Sequence, residues 1–252
     1  RGEDDPAVRG FVITGFGTRA FCAGADIGRF PSMLGDAAAS AQYARDCSRL
    51  LVHLDGMDKP VVAAVNGMAL GGGLELAIRC HAIVALRDAW LQLPEITLGI
   101  VPGIGAMVVP YRRWPRAAAT FHGMLRRAER LGAARAHELG VVDALADDIG
   151  ELIARAIELV HAGGGRAAIA SVPVELAPLP PIEPRAASGQ LLSAEVLGIL
   201  DRAVRAAAAA PSLSEAVEIG YRAFGATACT AAAREGIAAA LEGRKADFGG
   251  TG

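Results

Sequence analysis

The sequence predicts an α/β (α+β) fold for its first part and an all-helical C-terminal region. Three observations lead there. Short apolar runs, Phe11-Val12-Ile13-Thr14-Gly15, Val61 to Val65 and Ala82 to Leu86, recur with helix-length segments between them, and such runs bounded by turn residues are buried-strand signals. Composition then shifts over residues 163–190, where three glycines are followed by Pro173, Pro178, Pro180, Pro181 and Pro184. Beyond that stretch only helical signals remain. Strands alternating with helices and then helices alone define the class. The expected boundaries are 1–162 for the core, 163–192 for a Pro/Gly-rich linker and 193–252 for the helical region.

The elements follow in order. Residues 36–56 read as a helix with Leu50, Leu51 and Leu54 on one side. The strand Val61–Val65 leads through Asn66-Gly67 to Gly71-Gly72-Gly73, a tight loop opening a short helix that carries Glu75. Ala82–Leu86 is the next strand. Pro102, Gly103 and Gly105 make 96–105 loop-rich. One or two helices fill 116–140, ending near Gly140, and Val141 to Leu145 is a short extended piece. Glu151–His161 is amphipathic, with Leu152, Ile153, Ala156, Ile157 and Val160 on one face. Ser193 with Val196 marks a helix start, and Ser212 with Glu215 three residues on is a capping box. The Ala206–Ala210 run favours helix, and Arg234 to Leu241 forms the last one.

Bulk properties exclude several function classes. With 52% hydrophobic and 21% charged residues the chain can bury a sizeable core, and with 5% aromatics that core must use small aliphatic side chains. A net charge of −2 gives no reason to expect a nucleic acid or an anionic membrane as partner. No apolar run approaches the roughly 20 residues that span a bilayer. The first residues have no signal-peptide pattern. Cys22, Cys47, Cys80 and Cys229 are scattered without a C-x-x-C pair, as expected of reduced thiols in a cytoplasmic protein. His53, His81, His122, His137 and His161 show no metal-ligand spacing, so no metal is expected.

Two segments carry chemistry. One is Phe21-Cys22-Ala23-Gly24-Ala25-Asp26-Ile27; the other runs from Lys59-Pro60 through the triple glycine to Ala77. Glycines let a backbone approach a ligand, and a helix N-terminus offers unpaired N–H groups to a negative oxygen. Glu75 stands just inside that helix, and a second carboxylate follows in Leu93-Pro94-Glu95. Singly, the glycines would be a tight turn and the two acids solvated. Together with Ala23-Gly24-Ala25-Asp26 they suggest carbonyl chemistry with proton transfer. Cys22 beside them reads as a small buried hydrophobe. Gly15-Phe16-Gly17-Thr18-Arg19-Ala20 mimics a dinucleotide fingerprint, with Asp36 where a ribose-binding acid would fall. That fingerprint needs a helix at its second glycine, and Gly24 and Asp26 interrupt one.

On these segments the chain resembles the enoyl-CoA hydratase/isomerase (crotonase) superfamily. Further matches are Pro102-Gly103-Ile104-Gly105, Ala136-His137-Glu138-Leu139-Gly140-Val141-Val142, and a tail with Arg234-Glu235-Gly236-Ile237 and Arg244-Lys245-Ala246-Asp247-Phe248. The resemblance runs from about residue 10 to 248. It implies a spiral of ββα turns with a C-terminal helical trimerisation region, and a homotrimer or dimer of trimers. It implies an acyl-CoA thioester substrate, CoA arriving with the substrate so that no separate cofactor is needed. The backbone N–H groups of Ala25 and Gly72 match the oxyanion hole. Glu75 matches the residue that activates water and Glu95 the one that delivers a proton at the α-carbon. CoA contacts fall, by the same resemblance, on Arg19, Ala23, Ala25, Asp26, Ile27, Gly28, Lys245 and Phe248.

The chain departs from the family text at Cys80-His81, where an acid is usual, and at Ala106-Met107-Val108-Val109-Pro110-Tyr111. The resemblance also implies an opening hairpin and helix ahead of the Val12-Ile13-Thr14 strand, so either this is a fragment or domain of a longer protein or the true start lies upstream. With both carboxylates present the leading expectation is a 2-enoyl-CoA hydratase. An isomerase, a CoA-thioester hydrolase or a lyase of the same family is an alternative, as is a catalytically silent assembly subunit. The dinucleotide-binding reading ranks third.

Overall fold

A computed structural model describes residues 2–165, 168–176, 178–179, 181 and 183–249. Pro180 of the Pro-rich stretch lies outside the described residues. The chain divides into two compact units, each drawn from three segments: residues 1–24, 49–92 and 130–169 in the first, and 25–48, 93–129 and 170–252 in the second.

The first unit is built on eight strands: β1 (Phe11–Thr14), β2 (Ala20–Cys22), β3 (Val61–Val65), β4 (Met68–Leu70), β5 (Ala82–Leu86), β6 (Trp90–Gln92), β7 (Arg130–Gly132) and β8 (Ala144–Ala146). They form two four-stranded sheets, ordered β1-β3-β5-β8 and β2-β4-β6-β7. Each of the successive pairs β1/β2, β3/β4 and β5/β6 sends its first strand to one sheet and its second to the other. All neighbours are parallel except β6 and β7. The strands of the second sheet are three residues each, too short to show a periodicity of their own.

Every residue of β3 and β5 is buried. Small Ala63, Ala64, Ala82 and Ala85 let both faces be covered, and burying each larger Val or Ile contributes about 1.5–3 kcal/mol. β1, expected to be buried, is only half so, because it lies at the edge of its sheet. α1 (Ala37–Asp55) precedes β3, and α2 (Gly72–Arg79) follows β4. The buried Arg79 at the end of α2 holds Asp55, the last residue of α1, in a two-pronged ion pair. His81, standing where the family has an acid, accepts the Val61 N–H on Nδ1 at 3.0 Å.

The stretch 116–140, expected to contain one or two helices, holds two, α4 (Ala118–Arg127) and α5 (Ala133–Glu138), with the unforeseen strand β7 between them. The break comes at Ala128, which is left-handed with φ 52°. Between β6 and α4 lies α3 (Val109–Arg113). α6 (Ile149–His161) begins two residues before Glu151, because Asp148 caps the Glu151 N–H. Leu152, Ala156 and Val160 form its buried face, whereas Ile157, expected there, is exposed.

The second unit is mostly helical, with α7 (Ala194–Ala209), α8 (Leu213–Thr227) and α9 (Ala231–Leu241). Ser193, Ser212 and Thr230 cap them through their side chains. Ala203, Ala207, Ala208, Ala232, Ala233 and Ala239 are all buried within this chain. Small side chains let backbones approach: α9 packs on the turn Glu95–Leu98 so closely that a Cβ on Gly236 would strike the Leu98 carbonyl.

Two buried cations organise this unit. Arg112 donates from Nη1 to the carbonyls of Ala170 and Val172 (3.2 and 2.6 Å) and from Nη2 to those of Ala207 and Ala210 (2.9 and 2.7 Å). It thus caps the C-terminal, negative end of α7 and pins the chain after α6 to it. Nearby, Arg126 pairs with Asp201 on α7 (3.2 Å), and His122 lies 4.0 Å from the same carboxylate. The His122 Nδ1 hydrogen-bonds to the Tyr111 hydroxyl at 3.0 Å.

Burial, with Arg126 and Arg205 close by, pushes the His122 imidazole down to about 4. Below its ordinary value of 6.5 the unfolded chain therefore takes up a proton that the native state refuses. Stability is full above about pH 6.5 and falls as the pH drops toward 4. Asp201, pushed up by burial, binds its proton earlier in the native state and opposes the trend only toward the carboxylate range. Between pH 7 and pH 5 the wild type should lose about 2 kcal/mol through His122. Urea unfolding at both pH values tests this: His122→Gln should show a flatter dependence, and equal slopes would refute the assignment.

Candidate active site

The N-terminus of α2 is assembled by backbone geometry. β4 ends at Leu70, and the Gly71 N–H extends the sheet by donating to the Gln92 carbonyl at 3.0 Å. Gly71 then turns with φ 49° and ψ −125°, a conformation essentially closed to residues with a Cβ. The first helical bond is Glu75 N–H to Gly71 carbonyl at 2.9 Å. The amides of Gly72, Gly73 and Leu74 precede it and have no partner within the helix. Gly71 supplies no side-chain cap, so nothing from the cap residue competes for them. Glu75 stands in the first turn and is 2% exposed, where the helix dipole favours a carboxylate.

The other segment comes off β2. Gly24 has φ 95°, and a Cβ built there would lie 3.0 Å from the Leu70 carbonyl and 3.5 Å from the Gly72 nitrogen. The first unit therefore brings the Gly24 backbone directly against the Gly72 amide. Ala23 is exposed and so is Arg19. Cys22 is half-buried and packs against Gly73.

The remaining expected residues belong to the second unit. Ala25 is exposed. Asp26 caps the 3₁₀ turn Ile27–Ser32, its Oδ1 accepting the Gly28 N–H at 3.0 Å. That amide, expected along the CoA path, is thus already engaged. Glu95 is half-buried and opens the 3₁₀ turn Glu95–Leu98, which ends at left-handed Gly99. The tail is tied down by Glu235, which takes two bonds from Arg244 (2.5 and 3.0 Å) and one from the Asp247 N–H (2.9 Å). The hydrogen bonds from Arg244 chiefly hold the Glu235 carboxyl down to about 2. Lys245 is exposed, whereas Phe248 is 4% exposed. Among the described residues no cluster of three His, Cys, Asp or Glu side chains could hold a metal ion, and no helix is long and apolar enough to cross a membrane.

A glycine-built helix N-terminus with a buried glutamate in its first turn is fed by strands that alternate between two sheets. The family model described as "Enoyl-CoA hydratase/isomerase" matches residues 1–170. Syntrophomonas wolfei has a protein named "Crotonyl-CoA hydratase" that is 32% identical over 251 residues, covering 98% of this chain and 82% of that protein. A Bacillus subtilis protein named "Probable enoyl-CoA hydratase" is 40% identical over 156 residues, covering 61% of this chain and 58% of that one. The crystal structure of an enoyl-CoA hydratase/isomerase from Mycobacterium paratuberculosis matches with a TM-score of 0.64 and 26% identity, covering 94% of this chain and 82% of that one. The chain belongs to the enoyl-CoA hydratase/isomerase family and has its fold.

Proposed function

We propose that this chain binds 2-enoyl-CoA thioesters and adds water across their α,β double bond. The observation that carries this is the α2 N-terminus, where Gly24 closes on the Gly72 amide and Glu75 lies buried one turn in. The thioester oxygen accepts hydrogen bonds from the Ala25 and Gly72 N–H groups. Water attacks the β-carbon as Glu75 takes its proton, and the π electrons move onto the carbonyl oxygen as an enolate. Glu95 then protonates the α-carbon as the enolate collapses. The sum is H and OH added, and the proton left on Glu75 returns to Glu95 through solvent. Preorganised amide donors of this kind are worth about 3–4 kcal/mol in the transition state.

In this reading CoA runs along Ala23, Ala25, Asp26, Ile27 and Gly28, and the family resemblance assigns Arg19, Lys245 and Phe248 to it as well. CoA is part of the substrate rather than a resident cofactor. We also propose a homotrimer or a pair of stacked trimers, for which exposed Leu50, Val52 and Leu241 offer apolar contact. Binding is tested by thermal unfolding. A ligand of the native state raises Tm by mass action, so acetyl-CoA should stabilise the protein and NAD should not. Stabilisation by NAD alone would overturn the reading in favour of a dinucleotide site.

A further inference from the structure

Asn66 is 1% exposed and stands where the chain leaves the first sheet, between β3 and β4. Both polar atoms of its side chain reach across to the turn between β1 and β2. The Gly15 N–H donates to Oδ1 at 3.0 Å, and Nδ2 donates to the carbonyls of Gly15 (3.1 Å) and Gly17 (2.6 Å). β1 neighbours β3 in one sheet and β2 neighbours β4 in the other. Asn66 therefore bolts together the two places where these neighbouring strands change sheets. The next ladder contact, Met68 N–H to Arg19 carbonyl at 3.2 Å, continues the same junction into the second sheet. One arm of the junction runs through β2 to Gly24, and the other through β4 to Gly71 and Gly72.

We propose that Asn66 is a positioning residue for the oxyanion donors: by fixing this crossing it sets how Gly24 seats against the Gly72 amide. The inference rests on the hydratase reading given above. Asparagine suits the place because it offers an acceptor and two donors in one plane. The crossing strands leave Gly15 N–H and the Gly15 and Gly17 carbonyls without ladder partners, and a buried polar group left unpaired costs about 1–3 kcal/mol. An apolar side chain would drive the turn outward to find water. Aspartate would keep the acceptor but turn an oxygen toward two carbonyls.

The test compares Asn66→Asp, Asn66→Ala and Thr14→Val. Thr14 Oγ1 donates to the Ala64 carbonyl at 2.8 Å within the first sheet, so its loss is a purely structural control. Misplacing reacting groups by about 1 Å costs on the order of 100-fold. Near pH 8, Asn66→Asp should lower kcat for crotonyl-CoA by roughly 30- to 100-fold with KM changed less than about threefold. Relative to wild type, its activity should recover as the pH is lowered toward about 5.5, because a protonated carboxyl regains one donor. Asn66→Ala should lose activity without that recovery, and Thr14→Val should keep wild-type kcat.

Dimethylaminocinnamoyl-CoA, which absorbs at longer wavelength when its carbonyl is polarised, reads the donors directly. Its shift should be large on wild type and reduced on saturated Asn66→Asp. If Asn66→Ala does not fold, the pH recovery of Asn66→Asp decides. Wild-type kcat and a full shift in a folded Asn66→Asp variant would overturn the inference alone. A wild type that neither shifts the probe nor hydrates crotonyl-CoA would overturn the hydratase reading, and this inference with it.

Discussion

Glu95→Gln and Glu75→Gln are each expected to lower kcat for enoyl-CoA hydration by about 10²- to 10⁴-fold, the range for losing a positioned acid or base. The amide keeps the shape of the carboxyl but cannot exchange a proton, so affinity for a CoA thioester should hardly change. The two variants should separate when water is bypassed. Exchange of the α-proton of a saturated acyl-CoA with solvent depends on Glu95, so Glu75→Gln should retain more of it than Glu95→Gln. Near-wild-type turnover in both variants would remove the two carboxylates from the mechanism. Glu75 is buried in the first turn of α2, so the melting temperature of Glu75→Gln is measured beside its kcat to separate loss of the proton acceptor from loss of stability.

Gly24→Ala is expected to cost about 10²- to 10³-fold in kcat, as for removing one oxyanion donor. The new methyl would lie 3.5 Å from the Gly72 nitrogen, in the space that the proposed mechanism gives to the substrate oxygen. Part of the damage is backbone strain, since φ is 95° and left-handed backbone costs about 1–3 kcal/mol for residues with a Cβ. Gly140→Ala separates the two effects. Gly140 has φ 74° with nothing within 4 Å of a built Cβ, so this variant should lose stability and keep activity. Comparable activity losses in both would mean that strain, rather than obstruction of the Gly72 amide, explains the result.

Much of the fold was legible because it rests on continuous apolar runs. β3 and β5 are buried throughout and were read within a residue of their bounds. The caps at Ser193 and Ser212 were read from side-chain chemistry and hold in the structure. What escaped was set by tertiary context. β2, β4, β6 and β7 are three residues each, too short for periodicity, and depend on pairing. β1 reads as buried because its residues are apolar, yet its place at a sheet edge is a property of the assembled sheet. The Gly-rich turn with Glu75 just inside its helix was legible because its residues are adjacent in sequence. The engagement of the Gly28 amide by Asp26 and the burial of Phe248 were not, since both depend on where the following chain turns. Asn66 left a faint signal, one amide at the end of an apolar strand, and only the crossing geometry gives it a partner.

The central claim is addition of water to an enoyl thioester, and incubation with crotonyl-CoA tests it most directly. The account predicts that the conjugated enoyl absorbance disappears and that 3-hydroxybutyryl-CoA accumulates with the thioester intact, reversibly from either side. Release of free CoA without the hydroxyacyl product, or no consumption by a folded protein that acetyl-CoA stabilises, would contradict it.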